Sequence, residues 1–127
     1  MTQQARLTRL KRRTEFLRVA GGRRKWAAPG LVLQARRREA EENGIRIGFT
    51  ASRKVGGAVV RNRARRRLKE AAAQVIPTHA APATDYVLIA RAETPTRPFA
   101  ALLGDLETAL KRLDVWQEAP PGAAWPC

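Results

Sequence analysis

The sequence predicts a single mixed α/β (α+β) domain built around a strongly basic helix, and three observations carry that expectation. A length of 127 residues suits one domain with one core. Helical and strand-like apolar periodicities succeed one another along the chain, three of each. The positive charge is regional, since residues 1–69 carry 21 Lys and Arg against four Asp and Glu, whereas residues 70–127 carry four against seven.

Residues 1–13 are polar and basic with sparse Leu7 and Leu10, which reads as a flexible arm ahead of a domain spanning 14–113. Thr8 and Thr14 are candidate N-caps for a short first helix, in which Phe16, Val19 and Ala20 share a face and Gly21-Gly22 supplies the stop. Leu31–Arg36 and Ile45–Ser52 alternate apolar and polar residues and read as two antiparallel strands, joined by a turn over Glu39–Gly44. Asp85–Ala90 is more uniformly apolar and therefore a central strand. Pro98–Leu113 follows as a helix with Phe99, Leu102, Leu103, Leu106, Leu110 and Leu113 on its core-facing stripe. From Asp114 on, three prolines and two tryptophans without periodicity read as a disordered tail, 114–127.

A net charge of +14 and a pI near 11.6 point to a polyanionic partner rather than a small metabolite. The lone cysteine, Cys127, offers no intrachain bridge, and no apolar run has signal-peptide or membrane-spanning length. The expectation is a cytoplasmic protein with no membrane and no small-molecule substrate. A single histidine, His79, lies in a Pro77-Thr78-His79 stretch that reads as a solvated loop, and no acidic cluster of two-metal type is present.

The charge concentrates in SRKVGGAVVRNRARRRLKEAAAQV, Ser52–Val75, where eight of the 17 residues from Arg53 to Lys69 are basic and none is acidic. On a helical wheel Val60, Ala64, Leu68, Ala71 and Val75 fall within about 80° of one another. Arg61, Asn62, Arg65, Arg66 and Lys69 occupy the adjoining arc, with Arg63 and Arg67 flanking the stripe on its other side. The segment is thus an amphipathic helix. A merely solvated face would interleave Glu at i, i+4, whereas this one repels itself unless a polyanion neutralises it. Arginine's planar fork suits phosphate, and Val55-Gly56-Gly57-Ala58 lets backbone approach a partner.

The same segment resembles the signature of the protein subunit of bacterial ribonuclease P, a Lys-x-x-Gly-Ala-Val-x-Arg-Asn-Arg-x-(Lys/Arg)-Arg run matched by Lys54, Gly57, Ala58, Val59, Arg61, Asn62, Arg63, Arg65 and Arg66. The similarity extends from about Leu7 to Leu113 through the Glu15-Phe16 region, IRIGFTAS and DYVLIAR. It implies a three-layer sandwich in the order α-β-β-β-α-β-α, with a small mixed sheet, a left-handed crossover into the basic helix and a ribosomal-protein-S5-domain-2-like topology. On the residue pattern alone only three strands are found, so a strand between Ser52 and the helix is implied by the resemblance. The implied activity is removal of the 5′ leader from precursor tRNA, with catalysis by the RNA subunit, Mg2+ held mainly by RNA phosphates and no metal on the protein. Arg61, Asn62, Arg63, Arg65, Arg66 and Lys69 would face the catalytic RNA. Phe16, Val32, Gln34, Thr50, Arg53, Lys54 and Arg91 would line a cleft for the single-stranded leader, where aromatic stacking is indifferent to base identity. By spacing alone Phe16 reads as a core aromatic, and the resemblance moves it to the cleft. Ala20 and Gln34 stand where many relatives have aromatics, and Trp26 is the aromatic expected to compensate. The competing readings are a general RNA-binding or ribosomal protein, an interfacial membrane protein and a protein-only nuclease.

Overall fold

The computed structural model describes residues 7–38 and 44–118. The elements run β1 (Leu7–Arg9), α1 (Arg13–Gly21), β2 (Lys25–Ala27), β3 (Leu31–Arg37), β4 (Ile45–Thr50), α2 (Ala58–His79), β5 (Thr84–Ala90) and α3 (Phe99–Arg112), with a single 3-10 turn at Arg53–Val55 ahead of α2. The strands form one mixed sheet in the order β1-β4-β5-β3-β2. From α1 onward the order is α-β-β-β-α-β-α, as the resemblance implies, but the strand that residue patterns miss is Lys25–Ala27. Only the 3-10 turn separates Ser52 from α2. Three residues are too few to display an alternation, which explains the omission of both β1 and β2.

β3 and β4 do run antiparallel, yet they are not neighbours. β5 lies between them, antiparallel to β3 and parallel to β4, and so occupies the central position its apolar run predicts. The expected turn between β3 and β4 falls at residues 39–43, outside the described residues.

Alternation along the strands sorts the side chains into two layers. On one face Leu31, Leu33, Ala35, Ile45, Ile47, Tyr86 and Leu88 join Ala64, Leu68, Ala71, Ala72 and Ile76 of α2 and Leu102, Leu106, Ala109 and Leu110 of α3 in the main core. On the other, Val87 meets Leu10 and Val19, with Phe16 and Ile89 against them. The result is a three-layer sandwich, with α1 alone on the second face among the described residues. Because one short described helix covers that face, part of it is left open by the described residues.

The register divides the α1 face into three rows. Arg46, Asp85 and Arg36 form the first, Gly48, Val87 and Gln34 the second, and Thr50, Ile89 and Val32 the third. Asp85, only 1% exposed, anchors the first row. Its carboxylate accepts hydrogen bonds from Arg38 Nη1 at 2.6 Å and from Arg46 Nε and Nη2 at 2.9 and 2.7 Å. Arg46 Nη1 then reaches Glu15 Oε2 of α1 at 2.6 Å. Glu15 in turn caps its own helix, accepting the backbone N–H groups of Lys11 and Arg12 at 2.9 and 2.8 Å. Arg12 is the N-cap residue, so neither Thr8 nor Thr14 serves as expected. A carboxylate three residues inside the helix satisfies the free N–H groups that a threonine hydroxyl would otherwise take.

Both ends of the described chain are more ordered than the sequence suggests. The expected arm at 1–13 is contradicted over its second half, since β1 pairs in parallel with β4, Leu10 is buried with its N–H bonded to Ile47 O, and Arg13 opens α1. The expected tail at 114–127 is contradicted at its start. Val115 is buried, Ala81 N–H donates to Val115 O at 2.9 Å, and Trp116 bridges to Ala80. Residues 1–6 and 119–127 lie outside the described residues. His79 is also not in a loop. It ends α2, with Pro77 inside the last helical turn, and its ring stacks on Trp116 at 4.1 Å while Nδ1–H donates to Gln117 O at 2.8 Å.

Burial pushes the Asp85 carboxyl up, but the hydrogen bonds from Arg46 and Arg38 outweigh it and hold the group below its ordinary range. A folded-state pKa below the unfolded value of about 3.9 gives stability that is complete above that pH and is lost as pH falls through the folded value. Acid titration followed by circular dichroism should therefore show cooperative unfolding below about pH 4. Asp85→Asn should cost about 3–5 kcal/mol at neutral pH, because two guanidinium groups lose their counter-charge, and should blunt that acid transition.

Candidate nucleic-acid interface

Helix α2 begins after Gly56, whose φ of +148° strains any other residue and whose missing side chain leaves room for Val60, which a Cβ would meet at 2.9 Å. Gly57, the N-cap, has open space around it. The first turn thus presents its N–H end without a covering side chain.

The phase of the helix differs from the expectation. Val60 is 38% and Val59 82% exposed, while the buried residues are Ala64, Leu68, Ala71, Ala72 and Ile76. Including Ala72 and Ile76 turns the core-facing arc by roughly 50° on the wheel. Arg61 and Arg65 then fall within the angular span of the buried arc, at its N-terminal end, and both are half-buried. Arg61 Nε is buried without a hydrogen-bond partner among the described residues, and Arg65 Nη2 donates to the Asn62 side-chain oxygen. Asn62, Arg63, Arg66 and Lys69 are exposed and form the outward ridge. All six expected RNA-facing residues therefore lie on one helix, four pointing outward and two wedged at its base.

Arg67 has a different task. Its Nη1 donates to Thr94 O at 2.7 Å and its Nη2 to Arg97 O, clamping the β5–α3 loop against α2. That loop is further held by a bidentate Arg97–Asp105 pair, by Gly30 N–H donating to Asp105 at 2.9 Å, and by Thr94 Oγ1 donating to Gly30 O at 2.6 Å. Gly30 admits no side chain, since a Cβ would lie 2.4 Å from Asp105 Oδ2.

The other expected set gathers at the open end of the α1 face. Phe16 lies over Gly48, where a Cβ would come within 2.3 Å of its ring. Beside it Gln34 continues the second row, and Thr50 and Val32 flank Ile89 in the third, all half-buried. Arg53 and Lys54, in the 3-10 turn just after β4, and Arg91, just after β5, are exposed where this face ends. Arg91 Nη1 donates to Ala28 O at 2.7 Å, which turns its guanidinium towards the β2–β3 connection. Phe16, Val32, Gln34 and Thr50 thus share one half of one sheet face, and Arg53, Lys54 and Arg91 follow the ends of its strands β4 and β5. Lys25, not anticipated, extends the second row through its pairing with Gln34. Its strand is too short to announce itself.

Trp26 does not compensate for the missing aromatics at Ala20 and Gln34. It pairs with Leu33 and packs on the main core, with the Arg112 guanidinium 5.1 Å from its ring centre. The period of two along β2 places it across the sheet from Phe16.

Comparison with known proteins bears on the family and the fold. The family model for ribonuclease P matches residues 5–114. Similar curated proteins include the ribonuclease P protein component of Paramagnetospirillum magneticum, 56% identical with 94% of this chain and 96% of that protein covered. The component of Ruegeria pomeroyi is 53% identical, with 82% and 84% covered. Among solved structures, the Staphylococcus aureus RNase P protein superposes with a TM-score of 0.71 at 27% identity, covering 86% of this chain and 97% of that one. The Thermotoga maritima protein does so with a TM-score of 0.68 at 25% identity, covering 82% and 96%.

Two substitutions separate support from contact. Arg67→Ala removes charged donors from two carbonyls and should cost about 1.5–3 kcal/mol, lowering Tm by several degrees, whereas Arg66→Ala on the exposed ridge should leave Tm nearly unchanged. Gly48→Ala should displace the Phe16 ring at a cost of about 1–3 kcal/mol. A large drop in Tm for Arg66→Ala, or none for Arg67→Ala, in the same thermal melts would reverse the assignment.

Proposed function

Since this chain belongs to the ribonuclease P protein family, a tRNA-processing family of ribonucleoprotein subunits, we propose that it binds the catalytic RNA through α2 and the 5′ leader of precursor tRNA through the open α1-face cleft. In this reading it supports Mg2+-dependent endonucleolytic maturation of tRNA in the cytoplasm, and the RNA subunit performs the cleavage.

The observation that carries the proposal is the division of the two residue sets. The exposed ridge of Asn62, Arg63, Arg66 and Lys69 belongs to a helix whose opposite side is sealed into the core, while Phe16, Val32, Gln34 and Thr50 lie on the other face of the sheet. One rigid body can therefore engage two RNA segments at once. Ala64, Leu68, Ala71, Ala72 and Ile76 on the buried side of α2 hold the guanidinium groups in place, so less entropy is lost when phosphates dock. Half-buried Arg61 adds a positive charge at the edge of that ridge. In the cleft, Phe16 offers a ring for stacking, Gln34 and Thr50 offer adaptable hydrogen bonds, and Arg53, Lys54, Arg91 and Lys25 offer charge without base specificity.

Among the described residues no three His, Cys, Asp or Glu side chains come together to hold a metal ion. In this reading the Mg2+ ions sit on RNA phosphates, and the protein's cations lessen the repulsion between RNA strands that those ions would otherwise have to screen alone. No helix among the described residues is long and apolar enough to cross a membrane.

Reconstitution tests the proposal. Added to a bacterial ribonuclease P RNA at low Mg2+, the protein should restore leader removal, and absence of stimulation would favour a general RNA-binding role. The RNA affinity should fall with log salt, and the Arg63→Ala, Arg66→Ala double variant should flatten that slope by roughly 0.7–0.9 for each phosphate that is no longer neutralised. Phe16→Ala should instead reduce affinity selectively for substrates that carry a leader.

A further inference from the structure

A groove of about 210 Å³ runs between the edge strand β1 and helix α2, on the sheet face opposite the leader cleft. Its floor is apolar and includes Ile47, Phe49, Ala72 and Ala73, and its rim carries Arg9 and Lys69. The Arg9 guanidinium lies over the Phe49 ring, 5.1 Å from its centre. Leu7 at the groove's outer wall is 43% exposed.

We propose that this groove receives one unpaired nucleotide of the RNA partner, its base against Phe49 and Arg9 and its phosphate against Lys69. The inference rests on the reading of α2 as the RNA-facing helix and adds a base-accepting site to that helix's flank. Three features select this occupant. The lining pairs two cations with no carboxylate, which favours an anion over a peptide of mixed charge. An aromatic ring layered with a guanidinium plane is the arrangement on which unstacked bases settle, because both surfaces accept a π-face. The adjacent alanines at 72 and 73 keep the helix side of the groove low, so a planar group can lie between helix and strand without moving the main chain. Lys69 joins the groove to the ridge of Arg66 and Asn62, so a strand tracking the ridge passes the opening.

The groove differs from a purely electrostatic contact in what it demands of the RNA. The ridge can neutralise phosphates of a duplex, whereas the groove accepts a base only where the RNA is unpaired. The surface of α2 would therefore recognise a junction between helix and loop.

Ala73 is exposed on α2 and lies outside both expected site sets, so it can be changed without disturbing the core. Ala73→Trp should fill the groove and weaken binding to ribonuclease P RNA by about tenfold, within the range for loss of one stacked base, while Ala73→Ser should bind as the wild type does. A benzophenone side chain placed at position 8, on the exposed strand side of the groove, should cross-link, in the assembled ribonucleoprotein, to a single unpaired nucleotide of the RNA. Equal affinity of the tryptophan variant and the wild type, cross-links confined to duplex regions, or cross-links to protein alone would each overturn the inference. Failure of the wild-type protein to bind the RNA at all would instead sink the proposed function. Circular dichroism of both variants must match the wild type, and Arg9→Ala, which removes the guanidinium layer from outside the helix, provides an independent second variant with the same expected direction.

Discussion

A single buried carboxylate organises the face on which the leader cleft opens. Asp85 sits in the central strand and binds guanidinium groups from either side, Arg38 just after β3 and Arg46 in β4. Two charges in that position would each be costly to desolvate alone. Arg46 shares itself with Glu15, so the strand that bears Asp85 is also tied to the start of α1. Fixing the N-terminal end of α1 fixes where Phe16 falls, one turn or less away, over Gly48. The electrostatic row at one end of the sheet face thus determines the aromatic row next to it and leaves the third row uncovered. An opening in a small domain needs such a buttress, because the apolar area that α1 fails to cover no longer helps hold the layers together.

The second layer of the sandwich solves a different problem. Helix α2 must display several like charges along about one side while staying folded, and its own electrostatics work against it. Alanine and leucine packing against the sheet supplies the compensation, and α3 and the Arg67 clamp add lateral support. Arg67 shows that position within a basic run does not settle a residue's role. It looks inward to backbone carbonyls, whereas Arg66, its immediate neighbour, faces water.

Much of this architecture is legible in the sequence. The long helices and the central strand have enough turns or alternations for their periodicity to declare itself, and the order from Lys54 to Arg66 identifies a family. Less legible are features created by contacts between distant segments. β1 and β2 exist because β4 and β3 offer edges to pair with, not because three residues prefer an extended state. The neighbour relation of β4 and β5 spans the whole of α2, so no local pattern reveals it. A helical wheel that starts at Val60 misplaces the phase of α2, because Val60 is exposed whereas Ala72 and Ile76, outside its stripe, are buried. Trp26 falls on the opposite side of the sheet from the one its neighbours suggest, since the face of a strand cannot be known before its register. Asp85 carries a signal that sequence reasoning can use, an acidic residue opening an otherwise apolar central strand, because such a group is tolerated only with cationic partners.

The stack of His79 and Trp116 has a practical corollary. It fastens the last described segment to the far end of α2, with the Lys111 ammonium 4.9 Å from the indole ring. Thirteen residues of helix, about 20 Å at the usual rise, separate His79 from Arg66. Glu118, the last described residue, therefore lies well away from the guanidinium ridge. Fluorophores, affinity handles or surface linkers attached at exposed Gln117 would leave the ridge turned towards solution, so protein immobilised there should report on RNA capture much as free protein does.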